Sequence, residues 1–588
     1  MTASSQHQQK QLYKVRIKDR EYTSWSFLDP DTDTPKLLSI SESIINPINL
    51  KLFEDDLIDL STPIPTVLCS PTKSNPIPGI LLLAENKTYG RTANNKRLLY
   101  KCIPDNPKLP AFLVPYKPDI LFAKTQKNRY VVFRFDNWHS KYPQGILTEN
   151  LGDTDHLPSF YEYQLFCRNI HHPITEFNAA AKKAIKILPE LKAKNLHLFQ
   201  DSSSPTKTGR KTSRIFSIDL NATQDIDDAF SVCKDSPFTV KIQIYIANVY
   251  AWMEMMGLWS SFGERVSTIY LPDLKRAMLP SVLSESLVSL TADKTQKLAF
   301  CMELRMRTNN PQNTDVVLSK KNYLIIPESV RFFNQSIVVE KNYVYESKEL
   351  LADSDYQLLC QCTQLLDSTT RDSHDVVSYW MIRMNSICGE WLKDRGVGVF
   401  REVSINKMED PEPPFSEMPY NTKTLLKYWK NATGKYICGE SNADSYVHIT
   451  SPIRRLPDIL NQIIFQREFG LAEKISREAE EFLVNWLSRM DELNFAMRSV
   501  RKTQIDCNML FRCNAHPEWM QHPHRGVIFD RIEKPDGNYS YMVHLSDLNI
   551  LGRFASQEKY VNYQVLDFRL FLFQESDKLQ RKIRLAVV

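Results

Sequence analysis

A chain of 588 residues exceeds what one hydrophobic core normally supports, so it divides into several domains. Its hydrophobic fraction of 42% is ample for packed cores, yet no stretch approaches the run of about eighteen apolar residues that a membrane-spanning helix needs. With 74 Lys and Arg against 69 Asp and Glu, the net charge is only +5, so any grip on a polyanion must come from local basic clusters.

The Gln-rich start, residues 1–11, reads as disordered and carries no signal peptide. The eleven Cys are scattered without a Cys-x-x-Cys pair, which implies reduced thiols in an intracellular compartment, cytoplasm or nucleus. Residues 12–77 read as a first small β-barrel with short strands, ending in the Pro/Ser/Thr-rich connectors at 61–66 and 70–79. A second barrel is expected over 78–200, with strands at Gly79–Leu83 and Tyr130–Phe135 and a helix at Ala179–Leu188. Lys127, Arg129, Tyr130, Phe133 and Arg134 mix the basic and aromatic ingredients of a single-strand binding face, although strand aromatics are more often core. The polar, basic stretch 201–213 reads as a linker.

The alternating run Arg214–Ile218 then leads into Asp219-Leu-Asn-Ala-Thr-Gln-Asp225-Ile-Asp227-Asp228, four carboxylates within ten residues. Oxygens gathered so closely repel one another and ask for protons, Lys or Arg, or a hard cation. Mg²⁺ suits oxygen ligands and keeps waters to share with phosphate, and two such ions can clamp an in-line phosphodiester displacement. Asp219 should end a strand, with Asp225, Asp227 and Asp228 on the following turn. A solvated acidic loop is the bland alternative; a Ca²⁺ loop of the EF-hand type lacks its central Gly and closing Glu here. Val240–Ile246 alternates as the next strand of the same sheet, and the apolar pattern from Ala472 to Met497 reads as a helix packed on it.

Residues 510–588 carry strand signals at Gly526–Asp530, Tyr539–Leu545 and Phe568–Phe573. Lys578, Arg581, Lys582 and Arg584 near the end of this stretch make either a polyanion-binding rim or a solubilising edge, the latter being the default. Cys507, Cys513, His516, His522 and His524 offer zinc-type ligands in a spacing that matches no common finger, and no metal is assigned to them.

The order Asp-x5-Asp-x-Asp-Asp, Tyr270-Leu-Pro, Met278-Leu-Pro, Leu283-Ser-Glu-Ser-Leu-Val-Ser-Leu290 and Thr450-Ser-Pro-Ile-Arg454-Arg455 resembles the catalytic (RNB) domain of the ribonuclease II and ribonuclease R family. Upstream, Arg134-Phe-Asp-Asn-Trp138, Tyr142-Pro-Gln-Gly145 and Asn150-Leu-Gly-Asp153 are similar to the second cold-shock-like domain of the exosome-type members. The resemblance implies an α+β multidomain fold: N-terminal cold-shock/OB-type barrels, a central α/β RNB domain over 214–509 and a C-terminal OB-fold barrel. It implies a Mg²⁺-dependent, two-metal, processive 3′→5′ exoribonuclease releasing nucleoside 5′-monophosphates, acting as a monomeric chain on single-stranded RNA, with the RNA exosome or other decay factors as partners. Asp219, Asp225, Asp227 and Asp228 are then the metal ligands, Asp227 and Arg454 catalytic, and Tyr270, Arg454 and Arg455 RNA-binding. An Arg fork suits a phosphate gaining charge, while Tyr270 is either a base-stacking platform or a Tyr packed at a strand end.

The chain departs from the family pattern at Asn248, where Asp is usual, at Ser378 and Tyr379, where an acidic pair is common, and at Asn461 or Gln462, where His is usual. An inactive RNA-binding repressor on the same fold, or a nuclease that also takes DNA, are the competing readings. The N-terminal endonuclease (PIN) domain of the exosome-type members and the Lys-rich tail of some bacterial members have no counterpart in this sequence, so neither a second nuclease activity nor strong unwinding is expected.

Overall fold

The alternation at Leu12–Ile17 turns Tyr13, Val15 and Ile17 inward, as a half-buried strand requires. In this computed structural model that strand is central to an antiparallel sheet ordered Trp25–Leu28, Leu12–Ile17, Leu57–Asp59, Thr66–Cys69. The structure describes residues 11–35, 46–61, 65–92, 96–117, 126–195, 214–307, 325–402, 434–439, 445–574 and 581–588, with isolated positions between 414 and 429. The expected linker at 201–213 and Lys578 lie outside the described residues.

A closed five-stranded barrel follows, built from Ile77–Leu81, Leu98–Pro104, Phe112–Tyr116, Gln144–Asp153 and Arg129–Asn137. The first sheet and this barrel share one core, in which Phe53 stacks on Phe112 at 5.9 Å and on Trp138 at 5.0 Å. Tyr130 and Phe133 are wholly buried, Tyr130 against Tyr163 at 4.4 Å, so both are core rather than base platforms. The expected helix at 179–188 starts earlier, as Thr175–Lys186, and a second helix, Leu188–Lys194, follows it.

The central sheet has six strands, ordered Ile325–Ile337, Lys297–Arg307, Thr239–Ala247, Asp228–Ser236, Phe216–Asp219, Lys341–Val344. All pairings are antiparallel except that of Phe216–Asp219 with Lys341–Val344. On one face lies helix Leu456–Glu468, buried from Leu456 to Gln466, with Phe465 packed edge-on to Phe300 at 5.2 Å. Each large apolar side chain removed from water there contributes about 1.5–3 kcal/mol.

The helical pattern expected over 472–497 is two helices, Arg477–Ser488 and Met490–Ala515, broken at Arg489. The second runs through the boundary expected at 509/510 and carries the last sheet, ordered Ile550–Ser556, Tyr539–Leu545, His524–Glu533, Val565–Gln574, Arg581–Val587. Among the described residues no helix is long and apolar enough to cross a membrane.

Candidate active site

The four aspartates enter the site from one hairpin of the central sheet. Phe216 pairs with Phe230, so the end of Phe216–Asp219 and the start of Asp228–Ser236 emerge at the same edge. Asp219 ends its strand as expected, whereas Asp228 opens the next strand instead of lying on the turn. The intervening loop, with Ala222 in the left-handed region at φ 64°, needs outside support. Ser289 supplies it by accepting from Ile226 N at 3.0 Å and donating to Gln224 O at 2.7 Å. Asn342 adds donor bonds to Ser217 Oγ at 2.9 Å and Leu290 O at 3.1 Å. The Leu283–Leu290 motif is thus the brace of the acidic loop, a role invisible in its spacing.

Each carboxylate meets a different environment. Asp219 accepts from Ser217 Oγ at 2.8 Å, and burial pushes its pKa up to about 6. Asp225 accepts from Lys275 Nζ at 3.1 Å and from Tyr270 OH at 3.2 Å. Asp227, 3% exposed, accepts from Ile453 N at 2.9 Å and Arg454 Nε at 3.1 Å. Burial still raises it to about 7, against the pull of Arg454. Asp228 is pushed well up, first by burial and then by Asp219 and Asp227. Among the described residues its carboxylate takes no hydrogen bond. Arg454 keeps 46% of its side chain exposed and is braced by Ser451 Oγ at 3.0 Å, so the guanidinium edge turned away from Asp227 is open to an anion.

These groups line one end of a cavity of about 940 Å³. Tyr270, 44% exposed, stands at its rim. The cavity is also lined by Tyr345, whose backbone N donates to Asp219 O at 3.1 Å and whose ring stacks on His374 at 3.7 Å and 11°, a flat pair that no motif announced because its members lie twenty-nine residues apart on separate elements. Asn385 anchors a polar shelf, donating to Tyr446 OH at 3.1 Å and Thr450 Oγ1 at 3.2 Å. Arg455 lines the cavity but donates to buried Asp458 at 2.9 Å, which also takes Ser451 N at 2.7 Å.

Among the described residues no three His, Cys, Asp or Glu converge as a ready-made metal cluster. The physical reason is visible: Asp225 and Asp227 are turned toward Lys275 and Arg454. The donor set still fits Mg²⁺, which takes one or two carboxylates and keeps its remaining positions for water and phosphate, and Asp219 and Asp228 have that chemistry.

Apart from Ser378, the departures from the resembled pattern make structural contacts. Asn248 caps helix Val249–Met256 through Ala251 N at 2.9 Å and donates to Asn334 at 2.9 Å. Asn461 spans Val399 N, Val399 O and His448 O at 2.9–3.0 Å. Gln462 joins Tyr250 N to Ala247 O. Ser378 lines the cavity, while Tyr379 packs edge-on to Trp380 at 5.2 Å.

A sequence profile of the RNB domain matches residues 210–322. The exosome complex exonuclease dis3 of Schizosaccharomyces pombe is 30% identical over 426 residues, 58% of this chain and 43% of that protein. The chain spans less than half the length of the curated relatives it matches. Mycoplasma genitalium RNase R, solved in complex with ribose-methylated single-stranded RNA, shares the fold with a TM-score of 0.60 and 14% identity, over 98% of this chain and 100% of that one. The yeast pseudonuclease Ssd1 superposes with a TM-score of 0.50 and 14% identity, over 93% and 78%. At that identity both likenesses speak to fold alone.

Proposed function

We propose that this chain, which matches the RNB domain over residues 210–322, is an exoribonuclease of that family and hydrolyses single-stranded RNA from the 3′ end, processively, to nucleoside 5′-monophosphates. The observation that carries the reading is the half-exposed Arg454, held by buried Asp227 and facing the Asp219/Asp228 pair in one large cavity.

Asp219 and Asp228 would hold Mg²⁺. Bound there, the ion supplies Lewis acidity that lowers the pKa of water and offsets phosphate charge. The chain's own groups do the rest. Arg454 donates to the scissile phosphate as charge builds in the transition state, and Asp227 orients that fork without leaving its buried position. Tyr270 and the Tyr345–His374 pair offer flat faces to bases, which favours a sequence-tolerant substrate grip. The Tyr446 and Thr450 hydroxyls, fixed by Asn385, line the cavity and would be offered to the sugar, whose 2′-OH separates RNA from DNA. The names of the relatives support association with an RNA exosome or other decay factors. All eleven cysteines are free, in keeping with an intracellular site of action.

A second reading, RNA binding without turnover, is favoured by one observation: Asp225 and Asp227 already spend their oxygens on protein partners. Incubation of the chain with 5′-labelled single-stranded RNA and matched DNA, with Mg²⁺ or EDTA, separates the two. Mg²⁺-dependent accumulation of a short labelled end product from RNA alone is expected. Retention of full-length RNA despite binding would leave the non-catalytic reading. Asp227→Asn should bind RNA nearly as wild type and degrade it at least ~100-fold more slowly, because Arg454 loses the charge that aims it.

A further inference from the structure

Asp225 is the only one of the four aspartates among the described residues with both a Lys and a Tyr on its carboxylate. The Lys275 ammonium lies 3.1 Å from its Oδ1 and also 3.0 Å from Glu285. Lys275 is no free surface side chain: it sits on strand Lys275–Arg276, directly opposite Tyr270 in the antiparallel pair with Ile269–Tyr270. Its neighbour Arg276 is tied to Asp273 at 2.8 Å and to Glu162 at 3.0 Å, which anchors that strand. The pair is substantially desolvated, with 25% of Lys275 and 11% of Asp225 exposed, so the attraction is only weakly screened by water.

The charge pattern of the loop follows. Asp225 is matched by Lys275 and Asp227 by Arg454. Among the described residues Asp219 and Asp228 form no salt bridge, so they are the two carboxylates of the loop left without a basic side chain, the pair a single divalent ion would take. A second ion beside Asp225 would have to evict an ammonium held by two carboxylates.

We infer that Lys275 takes the place of a second metal ion: the acidic loop accepts one divalent cation on Asp219 and Asp228, while the Lys275 ammonium permanently holds the Asp225 side. There it keeps Asp225 in position and presents a fixed positive charge at the cavity wall. The phosphate-facing part of this role rests on the nuclease reading; the ion count does not.

The test is a Mn²⁺ titration of the purified full chain followed by electron paramagnetic resonance of the free ion, with thermal melts in EDTA to verify folding. Wild type should bind one Mn²⁺, with any second at least ~10-fold weaker. Lys275→Met, which keeps the aliphatic stem and removes the charge, should tighten the second site by at least ~10-fold, and Lys275→Arg should behave as wild type. Two equal sites in wild type, or a folded Lys275→Met chain with an unchanged titration, overturns the inference. If Lys275→Met does not fold, Asp225→Asn decides: retention of the single tight ion supports the inference, and its loss overturns it. Failure of the nuclease reading appears separately, as RNA left intact at saturating Mn²⁺ whatever the ion count.

Discussion

Identical side chains in one ten-residue loop end up chemically different because each oxygen meets different partners. Asp227 and Asp219 are held up, to about 7 and about 6, chiefly by burial. A carboxylate whose folded-state value lies above its unfolded value near 3.8 favours folding at low pH, and that contribution is lost as pH rises through the folded value. The metal-free chain should therefore melt lower at pH 8 than at pH 5.5, with each kcal/mol worth about 2–4 °C in a domain of this size. Asp227→Asn should flatten that difference, and Mg²⁺ should raise the wild-type melting temperature more at pH 8 than at pH 5.5. Differential scanning fluorimetry in EDTA and in Mg²⁺ checks this; a pH difference unaltered by the substitution would show that Asp227 is not its source.

At the scale of elements, the segment Ser445–Arg455 reaches the site because helix Ser373–Lys393 lets it approach. A Cβ on Gly389 would lie 2.3 Å from Ser445 O, a distance that backbone atoms do not tolerate. Ala is intrinsically the better helix former by about 1 kcal/mol, yet here it must push the 445–446 backbone outward, and overpacking costs about 1–3 kcal/mol. Tyr446, Ser451 and Arg454 follow that backbone, so Gly389→Ala should cut RNA degradation by at least ~10-fold while far-ultraviolet circular dichroism stays near wild type. Full activity in that variant would mean the 445–455 segment positions itself without the helix. The same scale explains Asn248, Asn461 and Gln462, which are consumed by capping a helix or cross-linking backbone, Gln462 at Ala247, whose N–H donates in turn to Asp227 O.

Across the whole molecule, one apolar cluster joins Tyr130, Phe160 and Tyr163 of the second barrel region to Ile269 and Leu271 beside Tyr270, to Cys507 and Leu510 of the long helix, and to Val543 and Phe568 of the last sheet. The Arg168–Asp506 ion pair at 2.6 Å crosses the same junction. Because these units bury each other's surface, the C-terminal sheet should not unfold ahead of the strand that bears Tyr270. Hydrogen exchange in increasing denaturant is expected to show Tyr539–Leu545 and Ile269–Tyr270 losing protection together; loss in the C-terminal sheet alone, at clearly lower denaturant, would show that the barrel is an independent unit.

The sequence alone was enough for the strand that ends at Asp219 and for the resemblance to the RNB domain, because chemistry-bearing residues clustered at short, fixed spacings and alternating apolar patterns are local properties of a chain. It placed the last domain boundary inside a helix, since Met490–Ala515 is apolar toward two domains at once and its composition does not change where the contacts do. Only the tertiary structure decided that Ser289 and Asn342 brace the acidic loop, that Tyr345 and His374 make a flat wall, and that Lys275 closes on Asp225. Those are contacts between residues fifty or more positions apart, or on separate elements, and their energy depends on distance and burial, which no spacing along the chain encodes.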